Sequence, residues 1–145
     1  MKEELIAPAE GFDDVRRAQH YNSHPSGIEA KHLLRFMSFN YGTAMKYVLR
    51  AGLKPENDEV KDLCKAEFYL LDELENRTSP LVVGREALVG WVLVEKIYKH
   101  EENTAKKHAI MSIWWASVKA DHELLVCAVE SVRILIGSKN ASLHI

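Results

Sequence analysis

The 145-residue chain has few of the residues that cross-link or punctuate a fold, with two cysteines, four prolines and seven glycines. Cys64 and Cys127 are far apart and form no C-x-x-C pair, which excludes a disulfide scaffold and a cysteine zinc site and leaves two small residues in a reducing compartment. No apolar run approaches the ~20 residues that span a bilayer, and the opening MKEELIAPAEGFDD is acidic, so the expectation is a soluble cytoplasmic protein without a membrane partner. Charge of one sign is also lacking. The formal net charge is -2, from 19 basic and 21 acidic side chains, so general nucleic-acid binding is not expected, although a local basic patch stays open. Standard motifs are missing as well: there is no phosphate loop, G-x-G-x-x-G, H-E-x-x-H or G-x-S-x-G. His100, His108 and His122 are too scattered to argue a metal site.

What is present is helical periodicity. Two-residue alternation is scarce, with only Leu81 to Val83 looking strand-like, so the fold expected is all-α, a compact bundle of about six helices behind a short irregular N-terminal arm. Ser26 and Glu29 have capping-box spacing, which predicts a first helix from about Gly27 to Met37. Asn40 would cap a second helix ending at Arg50, with Gly52 closing it and Pro55 preventing continuation. Asn57 or Asp58 opens a third helix through Glu75, with Val60, Leu63, Ala66, Leu70, Leu71 and Leu74 as its apolar stripe. Three more helices are expected over Arg85 to His100, Thr104 to Lys119 and Asp121 to Ile136, the last closed by Gly137.

The chain reads as a single domain, 1–145, in which 20–77 form one helical module and 79–145 serve packing and assembly. Residues 1–76 hold 10 basic and 14 acidic side chains and the remainder 9 and 7, so an acidic half precedes a slightly basic one. In the fifth helix Ile110, Ile113, Trp114 and Val118 form one stripe while Met111 and Trp115 point elsewhere. A helix apolar on more than one face is covered on both, and a second subunit would supply that cover, hence an expected homo-oligomer.

The residues able to do chemistry lie in the first half. Lys46 and Arg50 share a helix face, where a point charge beside a planar fork can hold phosphate oxygens; the bland alternative is a solvated surface. Asp62, Lys65 and Tyr69 form a second row at spacings of three and four. The loop before them, Y-N-S-H-P-S-G-I-E over 21–29, is dense in groups that stack or hydrogen-bond. Tyr21 would stack on a base, His24 donate to a phosphate, and Glu29 pair with Lys46 or Arg50 or hold a metal.

That loop, followed by M-S-F-N-Y-G-T-A-M-K-Y-V-L-R-A-G-L-K and E-V-K-D-L-C-K-A-E-F-Y-L, resembles a phage-encoded family of small helical proteins. The family was first catalogued as a domain of unknown function and is commonly described as phage nucleotide kinase. The resemblance covers about residues 20–75 and rests on Tyr21, His24, Gly27 and Glu29, on Asn40, Gly42, Ala44, Lys46, Tyr47, Arg50 and Ala51, and on Asp62, Leu63, Lys65, Ala66 and Tyr69. Departures are Ala30-Lys31, where many relatives carry Cys and an apolar residue, and Glu67-Phe68, where relatives often have an apolar residue and Trp.

The resemblance implies a phage or prophage protein of the bacterial host cytoplasm that phosphorylates deoxynucleoside monophosphates, with a nucleotide as phosphoryl donor. Lys46, Arg50 and Lys65 would stabilise the transferring phosphoryl group, and Asp62 would orient a cation or bind Mg2+. Tyr21, His24, Glu29, Asn40, Tyr47 and Tyr69 would then bind the nucleotide. Two alternatives stand beside it. Glu59-x-x-Asp62 with Glu29 upstream looks like part of the carboxylate pattern of all-α, Mg2+-dependent nucleoside triphosphate pyrophosphohydrolases, with one carboxylate missing because the first pair is Glu29 and His32. The other is a non-enzymatic protein that sequesters a nucleotide or cyclic nucleotide from a bacterial defence system.

Overall fold

A computed structural model of the chain describes residues 7, 10, 24–53, 58–119 and 121–143, with side chains described as far as 140. Six helices are found among them: α1 Ala30–Leu34, α2 Phe39–Arg50, α3 Glu59–Asn76, α4 Gly84–His100, α5 Thr104–Val118 and α6 His122–Leu143. None of the described residues forms a strand, and no described helix is long and apolar enough to cross a membrane. The all-α expectation therefore holds. The expected N-terminal arm lies outside the described residues, apart from isolated positions.

Helix boundaries follow local chemistry. Asp58 caps α3 by accepting the Lys61 amide at 3.2 Å, and Asn103 caps α5 by accepting the Lys106 amide at 3.0 Å. The first helix is shorter than predicted. Gly27 has φ of 78° and its amide donates to the His24 carbonyl, while the Ser26 hydroxyl accepts from the Ile28 amide at 3.2 Å. The serine is thus spent on a local turn instead of a capping box, and Glu29 becomes the N-cap without a side-chain bond. Ser38, not Asn40, occupies the N-cap of α2. At the other end, α6 runs through Gly137 to Leu143, because one helical glycine costs only about 1 kcal/mol against alanine. Leu81 to Val83 is an irregular link whose Val82 is buried and donates its amide to the Ser117 carbonyl.

One core draws on both halves of the chain. Helix α5 lies at its centre, packed by α2, α4 and α6, and α3 packs on α2 and α6. Its fully buried residues, among them Ala109, Ile110, Ile113, Trp114, Ala116 and Ser117, take up one broad side of the helix, and Met111, Trp115 and Val118 on the other side are partly buried against the same core. Trp115, assigned from sequence to a subunit interface, packs on Trp91 of α4 with ring centroids 5.3 Å apart. Helices of the same chain thus cover part of the second side of α5 as well.

Candidate functional site

The two rows of charged and aromatic residues come together on one face formed by α2 and α3. Positions 39, 43, 46, 47 and 50 share a side of α2, and 62, 65, 68, 69 and 72 share a side of α3. At the centre is Tyr47. Lys46 Nζ is 4.6 Å, Lys65 Nζ 5.2 Å and Arg50 Cζ 5.9 Å from its ring centroid. A phenol ring attracts each cation weakly, by about 0.5–1 kcal/mol where solvent is present, and so gathers charges that would otherwise spread apart. Tyr69 lies nearly parallel to Tyr47, at 6.3 Å between centroids and 12° between planes. Phe39 and Phe68 stand edge-on to Tyr69 at 5.8 and 5.2 Å.

Asp62 is only 2% exposed, and its Oδ2 lies 3.5 Å from Arg50 Nε. The carboxylate therefore orients the guanidinium from below while 41% of the Arg50 side chain remains open to solvent. The face combines three cations, two of them lysines on long stems, with a cluster of aromatic rings. That combination suits an anion carrying a planar group.

The other predicted site residues are engaged elsewhere. Tyr21 lies outside the described residues. His24 is 4% exposed and bound within the fold: its Nδ1 accepts the Ser26 amide at 3.1 Å, so Nε2 carries the proton and donates to Glu101 Oε1 at 3.0 Å. Burial holds this imidazole below its usual pKa, with the Glu101 hydrogen bond pulling the other way. Asn40 is buried, and its Nδ2 donates to Asp72 at 3.0 Å and Glu73 at 3.2 Å, joining α2 to α3. Glu29 pairs with Lys31 at 3.1 Å and Glu59 with Lys139 at 3.4 Å. Among the described residues no three His, Cys, Asp or Glu gather as a metal would require. Glu29, Glu59 and Asp62 do not form the carboxylate cage expected of a pyrophosphohydrolase.

A buried charge cluster behind the face escaped sequence reasoning. Lys106 Nζ donates to the carbonyls of Ala51 at 2.9 Å and Leu49 at 3.4 Å, closing the C-terminal end of α2 beside Arg50, and it lies 3.7 Å from Glu101. Burial lowers the Lys106 pKa, partly opposed by Glu101 and Glu59. For Glu101 burial pushes upward, but the Asn103 amide, His24 and Lys106 outweigh it and the carboxyl stays below its usual range. No local pattern marks Lys106, because the carbonyls it binds are 55 and 57 residues away. Phe39 was also missed, though its helical spacing to Lys46, Tyr47 and Arg50 carried the signal. In the sequence Phe68 stands out only as a departure from a family pattern.

A family model described as a protein of unknown function (DUF3310) matches residues 15–71, which hold the loop, α1, α2 and most of α3. No curated protein matches, and no solved structure does. The matching segment agrees with the one singled out from sequence, but its description names no activity. The resemblance to a nucleotide kinase family is corrected accordingly: what this chain is similar to is a family of unknown function.

Proposed function

We propose that the chain binds nucleotides on the α2–α3 face, as a binding protein and not through a metal-centred active site. The observation that carries this reading is the convergence of Lys46, Arg50 and Lys65 on the Tyr47 ring, with Tyr69 stacked alongside. Phosphate oxygens would meet the three cations, and the base would lie against the neighbouring ring. Mg2+ would arrive with the phosphates of a di- or triphosphate, since Asp62 is engaged by Arg50 and Glu59 by Lys139. The face lies within one chain, so the reading does not depend on the homo-oligomer expected from sequence.

Titration calorimetry against nucleoside mono-, di- and triphosphates and cyclic nucleotides, with and without Mg2+, tests this directly. Binding is expected, weakened about tenfold or more in Lys46→Ala through loss of a charge-assisted contact. The ligand should be recovered chemically unchanged after heat denaturation of the complex. Absence of binding across the whole panel would sink the proposal, and release of a phosphorylated or hydrolysed product would replace it with an enzymatic one.

A further inference from the structure

The aromatic surface on α2 and α3 extends further than one nucleotide needs. Phe39 and Phe68 are 74% and 65% exposed. Single exposed apolar residues are ordinary, but these two flank the same tyrosine, and that tyrosine adjoins the cations. From Phe39 to Tyr69 to Tyr47 the ring centroids advance in steps of 5.8 and 6.3 Å, and Phe68 branches from Tyr69 at 5.2 Å. A mononucleotide with its phosphate on Lys46, Arg50 and Lys65 would occupy the Tyr47 end and leave both phenylalanines in water.

Resting on the nucleotide-binding function proposed above, we infer that the ligand is a short single-stranded oligonucleotide. Its phosphate is anchored at Tyr47, and its unstacked bases lie splayed on separate rings, since Phe39 and Phe68 stand at 81° and 89° to Tyr69. Every base has a π face, so such a platform accepts any sequence. A duplex does not fit this chemistry, because its bases keep their faces inside the stack. Charge sets the direction along the surface. All three cations surround Tyr47, whereas at the other end Asn40, the residue after Phe39, is bound to the Asp72 carboxylate. The phosphate is held at the first end, and the Asp72 carboxylate disfavours one at the second. The formal net charge of -2 gives no general attraction for a polyanion, so the contact is local. Its salt dependence should be shallow, with log K against log salt sloping by about -0.7 for the one anchored phosphate.

Calorimetry on the full chain should compare dTMP, a thymidine tetranucleotide, a uridine tetranucleotide and a short duplex. The single-stranded tetranucleotides are expected to bind at least about fivefold more tightly than dTMP, the gain from one further stacked base. In the double variant Phe39→Ala, Phe68→Ala the surplus should vanish while dTMP affinity stays within about twofold, since both rings are at the surface. Equal affinity for dTMP and the tetranucleotides, tighter binding of the duplex, or a surplus that survives in the double variant would overturn the inference and leave nucleotide binding intact. Failure of dTMP and the strands alike would sink both.

Discussion

Replacing Gly90 by alanine sets two physical effects against each other. In an exposed helix the change gains about 1 kcal/mol, because alanine has the better helix propensity and restricts the unfolded chain. Here a Cβ on Gly90 would lie 2.2 Å from Trp114 Cη2, 2.9 Å from Cζ3 and 3.1 Å from Cζ2. Carbon atoms pack best at about 3.5–4.0 Å, so the closest approach is more than about 1 Å too short. Trp114 is 1% exposed and held at the centre of the bundle, so the indole cannot swing aside. Helix α4 must instead move off α5, loosening the contacts of buried Val94 and Ile97. Overpacking of this kind costs about 1–3 kcal/mol. Taking the upper part of that range less the propensity gain, Gly90→Ala should destabilise by about 1–2 kcal/mol and lower Tm by roughly 3–6 °C. Thermal and urea denaturation followed by circular dichroism would read this. Pairing the change with Trp114→Phe, which removes the clashing six-membered ring, should make Gly90→Ala less harmful than in the parent. A Tm that rises in the single variant, or no coupling in the pair, would refute the packing argument.

The buried cluster and the helix contacts give three further tests. Stability should fall as pH drops below about 6.5, the unfolded histidine value, because the native His24 resists protonation and the unfolded chain takes up the proton. His24→Gln should flatten that limb in urea melts and leave a second loss below about pH 4.5, where the unfolded chain protonates Glu101 while the native carboxyl, whose pKa is lowered, stays ionised. Lys106→Met removes the donor to the Leu49 and Ala51 carbonyls and should cost about 2–3 kcal/mol in chemical denaturation, a typical charge-assisted loss. Asn40→Ala leaves Asp72 and buried Glu73 each short of a donor and should cost about 2 kcal/mol. Nucleotide affinity of the folded Asn40→Ala protein, measured by calorimetry, should stay within about twofold, because Asn40 acts in packing and not at the binding face.

Periodicity and short-range chemistry determined much of this protein without help from the fold. The all-α class, the Asp58 cap of α3 and the pairing of Lys46 with Arg50 and of Lys65 with Tyr69 each depend on residues three or four apart, where helix geometry alone fixes who is neighbour to whom. Contacts between helices were out of reach. Nothing near Ser26 shows that its hydroxyl closes a turn on His24, or that His24 ends on Glu101, 77 residues away. The apolar surplus of α5 marks it as a central helix, and only packing says what lies against it: α2, α4 and α6 of the same chain. The same division holds for the candidate site. Sequence supplied two rows of cations and rings on separate helices, but their meeting around Tyr47, and the withdrawal of His24 and Asn40 into internal hydrogen bonds, depend on how α2 sits against α3 and on which polar groups that packing cuts off from water. Local rules assign residues to faces, and the tertiary structure decides which faces meet, because burial and desolvation are properties of the assembled core.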